Sequence, residues 1–191
     1  MTGFRKALLV LALLLSAPVT AMADDGYDLW LRYGKVEARW LAPYRAANTV
    51  VVTGASSPVL DAARDELARG LTGLLGRPPS FASTPDAAAD GAVLIGTPKS
   101  SPAIAALHLD LTAAGDEGYV IRSVTVAGHR ATVIASNSDA GVLYGAFAYL
   151  RLLQTRQPLT GLAIADAPKT KLRLFNHWDN LNRTSERGYS G

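Results

Sequence analysis

Between Val50 and Pro79 the chain carries a strand, a capped turn and a long amphipathic helix, and this unit constrains everything around it. Val50-Val51-Val52 is a wholly apolar, β-branched run, the pattern of a strand covered on both faces. Ser57 and Pro58 then stand as N-cap and first helical residue, a pairing that satisfies an orphan amide and presets φ. The next stripe, Leu60, Ala63, Leu67, Leu71 and Leu74, advances in steps of three and four, so one helix face must be buried. Gly76 and Pro78-Pro79 stop the helix. A covered strand beside a one-sided helix points to a layered α/β domain.

The downstream segments extend that layer. Ala92-Val93-Leu94-Ile95-Gly96 is a second buried strand, turned by Thr97-Pro98 and followed by a short helix around Pro102–Leu107. The β-branched runs Gly118–Val126 and Ala131–Ala135 make a hairpin, with Gly128-His129 available as its two-residue turn. A long helix opens from a cap at Asn137 or Ser138, with Leu143, Ala146, Phe147, Leu150 and Leu153 on one stripe. Gly141 and Gly145, four apart, would let that helix approach the sheet closely. Residues 80–91 read as a loop, and residues 156–170 as a bridge with a short strand at Leu162–Ala165. The fold class expected is α/β: an α+β two-layer domain with a mixed sheet and helices on it.

Residues 1–23 have the pattern of a cleaved leader. Arg5-Lys6 precede the apolar run Ala7–Leu15, and Ala21-Met22-Ala23 is a small-x-small site before Asp24. The apolar run is shorter than the roughly 20 residues that span a bilayer, and Pro18 follows it, so a secreted or periplasmic protein with no membrane contact after cleavage is expected. Without Arg5 and Lys6 the formal charge of +3 falls to +1, which is no footprint for nucleic acid. The chain has no cysteine, so neither disulfides nor thiolate metal sites arise, and His108 has no ligand partner at metal spacing. His129 belongs at the exposed tip of the hairpin. The aromatic residues Tyr27, Trp30, Tyr33, Trp40 and Tyr44 read as an N-terminal arm packed on the body, with sugar stacking by Trp30 or Trp40 as the sharper alternative.

Thr53-Gly54-Ala55-Ser56-Ser57 resembles the phosphate-binding turn of short-chain dehydrogenases. The further glycines of that turn are replaced by Pro58 and Leu60, proline offers no amide, and no Tyr-x-x-x-Lys pair follows. No cofactor is expected.

The last stretch carries the chemistry. Lys171–Phe175 starts as a strand, with Leu172 and Leu174 on one face, and then breaks into Asn176-His177-Trp178-Asp179-Asn180. Glu186-Arg187-Gly188-Tyr189 comes soon after. Amide, imidazole, indole and carboxylate groups gathered at a strand end suit the rim of a site, and their position at the end of the chain suggests a larger protein.

The run Arg173–Asn180 with Glu186–Gly191 closely resembles the α-glucuronidases of glycoside hydrolase family 67, and Gly26–Tyr33 resembles the same family's N-terminus. Glu117-Gly118-Tyr119, Gly141–Gly145 and Leu152-Leu153-Gln154 resemble the non-catalytic α/β domain that precedes the barrel in several glycosidase families. The resemblance implies three parts: a signal peptide at 1–23, an N-terminal α/β domain at 24–168, and the first strand and loop of a truncated (β/α)8 catalytic barrel at 169–191. A whole barrel needs roughly 250 residues, more than the chain has. Asn182-Arg183 departs from the acidic residue and glycine expected there, which implies a stiffer or differently turned loop.

A glycosidase needs two carboxyl groups across the scissile bond. Asp179 and Glu186 are the carboxylates near this strand end. In barrels, however, catalytic groups come from several strands, and the resemblance puts the acid and base on later ones. No catalytic residue is therefore assigned within the chain. Trp178, His177 and Asn176 are the expected substrate contacts, and Asp179, Asn180, Glu186 and Arg187 the residues that structure the loop. The implied substrate is a xylo-oligosaccharide bearing α-1,2-linked (4-O-methyl)glucuronic acid, hydrolysed with inversion and without metal. A homodimer is compatible with this reading. A freestanding carbohydrate-binding or scaffold domain without catalysis is the alternative.

Overall fold

The structure, a computed structural model, describes residues 32–47, 49–52 and 54–174. The chain divides into the units Met1–Arg32 and Tyr33–Gly191, and every helix and strand described belongs to the second. After a one-turn helix α1 (Ala38–Leu41) come β1 (Thr49–Val52), α2 (Pro58–Leu75), β2 (Ser80–Ala82), β3 (Ala92–Gly96), α3 (Pro102–Ala105), β4 (Tyr119–Val126), β5 (His129–Ala135), α4 (Asp139–Gln154) and β6 (Ala163–Asp166). The sheet order is β2-β1-β3-β5-β4-β6. The first four strands of that order run parallel, β4 runs antiparallel to β5, and β6 antiparallel to β4. The sheet is mixed, as expected.

Helix α2 forms as its sequence dictates. Ser57 Oγ accepts from the Leu60 amide, Pro58 opens the first turn, and Gly76 closes the helix at φ +73°, where its amide donates to Thr72 O. Leu60, Ala63, Leu67, Leu71 and Leu74 are all buried. Both long helices lie on one face of the sheet, against Val50, Val93, Ile95, Ile121 and Ile134. They also press on each other: a Cβ on Gly70 of α2 would stand 2.5 Å from a Leu150 methyl of α4. The other face is apolar too, with Ala92, Leu94, Val120, Val133 and Ala135 buried under Ile104 and Leu111. The two-layer expectation therefore describes the long helices, while α3 and irregular turns add a thin cover behind.

Several boundaries differ from the sequence reading. The loop expected over residues 80–91 contains the edge strand β2, which pairs Thr49 with Ser80 across thirty residues that local pattern cannot connect. The hairpin turn is Ala127-Gly128, at φ +47° and +83°, because the register sets Val126 opposite His129. His129 is consequently the first residue of β5, with its side chain half exposed. On α4 the cap is Ser138, and Val142, Ala146, Tyr149, Leu150 and Leu153 are buried, while Leu143 and Phe147 are only partly so. The stripe is turned because α4 meets both the sheet and α2. Helix α3 stops at Ala105, two residues early, and the bridge strand falls at Ala163–Asp166.

Lys171–Leu174 has no regular structure, so the strand expected from residue 171 is not formed there. Leu172 and Leu174 are 72% and 82% exposed, and a strand needs a neighbour that the described residues do not offer them. Among the described residues no helix is long and apolar enough to cross a membrane. In the arm, Tyr44 is buried and Tyr33 half-buried, whereas Trp40 is 41% exposed. Tyr27 and Trp30 lie outside the described residues.

Burial raises the phenols of Tyr33, Tyr44, Tyr119 and Tyr149 above their usual range, with help from Glu66 at Tyr33 and Asp166 at Tyr119. An unfolded tyrosine ionises near pH ~10. The fold holds these protons more tightly than the unfolded chain does, so their contribution to stability is complete below pH ~10 and is lost as pH rises above it. An alkaline titration should show tyrosinate absorbance from these residues rising together with loss of far-UV circular dichroism. Full tyrosinate absorbance with the fold intact would contradict the burial.

Candidate functional site

The C-terminal ends of the parallel strands meet two helix N-termini, the place where open α/β sheets commonly bind ligands. Here the local polar groups are already committed. Ser57 Oγ, while capping α2, donates to Asp139 Oδ2 at 2.6 Å, and Ser138 Oγ accepts from the Gly141 amide at 3.2 Å. Gly54 has φ +89°, and a Cβ on it would lie 1.7 Å from Ser100 O. The Ala55 amide donates to that same carbonyl at 2.8 Å. The glycine thus admits the Ser100 backbone, not a pyrophosphate, and the turn is no nucleotide cradle.

The described carboxylates have mainly structural partners. Glu37 bridges Arg39 and Arg156, Glu66 takes Tyr33 and Arg69, and Asp61 and Asp65 hold Arg64. Asp90 accepts from the Arg130 amide at 3.0 Å and lies 3.5 Å from His129 Nδ1. The Arg130 amide, first among its causes, holds the Asp90 carboxyl below its usual range. Among the described residues no three His, Cys, Asp or Glu side chains gather as a metal site would require. His108 is exposed at φ +47°, as a surface position just after α3.

The candidate contacts Asn176, His177 and Trp178 lie outside the described residues, as do Asp179, Asn180, Glu186 and Arg187. What the structure shows is how the chain is delivered toward them. Tyr119 Oη donates to Asp166 Oδ2 at 3.3 Å at the end of β6, and Asp166 Oδ1 accepts from the Ala167 amide at 2.9 Å. A few residues beyond that amide, Arg173 reaches back to the domain. Its Nη2 pairs with Glu117, its Nη1 donates to Thr170 O at 2.6 Å, and its guanidinium lies 5.9 Å from the Tyr144 ring centroid. One arginine thereby ties the segment leading to the polar cluster onto the start of β4 and the exposed side of α4. The pair is half exposed, so its value is positional more than energetic. No local pattern announces it, because Arg173 and Glu117 are 56 residues apart.

Most of the described acids are paired within the α/β domain, and its last strand, β6, leads the chain on toward Arg173. The chain belongs to glycosyl hydrolase family 67. The family's N-terminus model matches residues 29–149, and its middle-domain model matches residues 152–191. The two matches meet near the end of α4, and β6, from the second, completes the sheet by pairing with β4 of the first. The alpha-glucuronidase of Hypocrea jecorina is 31% identical over 200 residues, 95% of this chain and 22% of that protein. Alpha-glucuronidase A of Emericella nidulans is 31% identical over 195 residues, 98% of this chain and 22% of its own length. Probable alpha-glucuronidase A of Aspergillus fumigatus is 30% identical over 93% of this chain and 21% of its own. The chain spans about a fifth of the length of these relatives.

Proposed function

We propose that the chain is the leading part of an exported α-glucuronidase that removes α-1,2-linked (4-O-methyl)glucuronic acid from xylo-oligosaccharides with inversion. The observation that carries this reading is the alignment of nearly the whole chain with proteins named alpha-glucuronidase. Export rests on the leader pattern of residues 1–23. In this reading the α/β domain positions the start of the catalytic barrel, where Trp178, His177 and Asn176 contact the sugar and Asp179, Asn180, Glu186 and Arg187 shape the loop. Inversion uses one carboxylic acid and one carboxylate with a water between them. Both lie beyond residue 191 on this reading.

The purified 191-residue chain should accordingly release no 4-O-methylglucuronate from aldouronic acids, while a polypeptide of the relatives' full length should release it. In that longer protein, proton NMR of the first product should show the β-anomer. Turnover by the 191-residue chain would overturn the division of roles and restore Asp179 and Glu186 as a catalytic pair.

A further inference from the structure

On the helix-side face of the sheet the side chains change character along two paired strands. Ile121 opposite Ile134 is buried under the helices. The next pairs on the same face are Ser123 opposite Thr132 and Thr125 opposite Arg130. A core face that continued under a helix would stay apolar. This one turns polar toward the end of α4, and there a cavity of about 440 Å³ opens. Pro43, Ala46, Ala47 and Leu159 add an apolar part to its lining. Gly91 lets that part close in: it sits at φ +85°, and a Cβ on it would lie 2.4 Å from the Ala46 methyl.

Tyr149 of α4 lines the same cavity. Its ring is fully buried, and its hydroxyl is the buried side-chain polar atom that has no hydrogen-bond partner among the described residues. Its neighbour Tyr44 donates elsewhere, to Gln157 O at 2.8 Å. A buried hydroxyl without a partner is costly to keep, which argues for something polar beside it. Ser123 Oγ accepts from the Leu162 amide at 2.9 Å, so its own proton is left to give. The charged residues lining the cavity, Asp90 and Arg130, face each other at 3.8 Å and leave no net charge.

We propose that this cavity is a binding site for a neutral, hydroxyl-rich ligand the size of one or two sugar rings. Hydroxyl side chains both donate and accept, as sugar hydroxyls do, so the Ser123, Thr125 and Thr132 side answers the polar edge of such a ring. The Pro43, Ala47 and Leu159 part answers its apolar face. The size lies within the range of small-molecule pockets. The paired charges disfavour an ionic ligand. The proposal rests on described residues alone, and it holds whether or not the relatives' activity extends to this chain.

The test titrates the full chain with D-xylose and D-glucose, and in parallel with glycerol and D-glucuronate, following backbone amide shifts by NMR. A neutral sugar should give saturable shifts centred on Ser123, Ala131, Thr132 and Gly161, with glycerol and glucuronate binding at least roughly tenfold more weakly. Thr132→Val and Tyr149→Phe, which keep side-chain volume and whose folding a thermal melt verifies, should each weaken the sugar by roughly threefold to tenfold. Absence of saturation with either sugar, saturation centred elsewhere, or glycerol binding as well as the sugars would overturn the proposal. The last two outcomes would leave the cavity with water or an adventitious additive only. Unchanged affinity in both variants would overturn it as well.

Discussion

Gly141→Val should destabilise the domain by about 3 kcal/mol or more, at the upper end of overpacking costs. Gly141 is buried in the first turn of α4, directly over the start of β4. A Cβ there would stand 2.2 Å from Gly118 O and 2.1 Å from Ser136 Oγ. Neither neighbour can move aside freely. Ser136 is fully buried and donates its hydroxyl to that same Gly118 carbonyl at 2.5 Å. Gly118 is itself boxed in, since a Cβ on it would meet Ala114 O and Asp166 O at 2.3 Å each. Replacing a helical glycine ordinarily gains up to ~1 kcal/mol of helix propensity, so here the clash must outweigh a favourable term. A loss of this size corresponds to a fall of roughly 6–12 °C in Tm for a domain of this length. Gly145→Ala is the comparison, because its added methyl meets mainly the Ile134 side chain, which can adjust more readily than a carbonyl. Thermal melts of the three proteins decide the matter. Equal stability of Gly141→Val and the parent would mean that α4 does not sit on β4 as described.

In a polypeptide of the relatives' length, Trp178→Ala should lower kcat/KM by roughly tenfold to a hundredfold, and Asp179→Asn should leave kcat within about an order of magnitude. The first figure follows if an indole against a sugar contributes the ~1–3 kcal/mol that aromatic stacking gives elsewhere. Such a contact is shared in part by the ground and transition states, so its loss appears chiefly in kcat/KM. A catalytic carboxylate would behave differently, costing several orders of magnitude in kcat. Steady-state kinetics of both variants on one aldouronic substrate separates the cases. Abolished turnover in Asp179→Asn beside a nearly silent Trp178→Ala would reverse the roles proposed for the two residues.

Local signals in the sequence placed most of the framework. The Ser57 cap, the Leu60–Leu74 stripe and the Gly76 stop define α2 because each acts within one or two turns of chain. The hairpin runs identified β4 and β5 by β-branched content alone. What escaped was non-local. Edge strand β2 is three residues long, with Phe81 half exposed, and exists because β1 pairs with it. The turn at Ala127-Gly128 was displaced by one residue because register, not glycine position, fixes which residues face each other. The rotated stripe on α4 reflects two partners where a single-face pattern assumes one. At the candidate site, the polar cluster 176–180 was visible as a break in alternation, whereas the Arg173–Glu117 tie joins residues too far apart for any pattern to connect. Ser123, Thr125 and Thr132 were also legible in principle, as polar residues where the core face should continue, yet β-branched threonine reads as ordinary strand.

The place of β6 bears on how the chain folds. Until Ala163–Asp166 has docked, β4 is the rim of the sheet, with one side of its backbone unpaired. In a released chain whose β6 has not yet docked, an eight-residue strand bearing Val120, Ile121 and Val124 offers its open edge to any neighbouring chain. Closure comes from the segment that also leads on toward Arg173 and the polar cluster, so the sheet is shielded only once that connecting segment has docked.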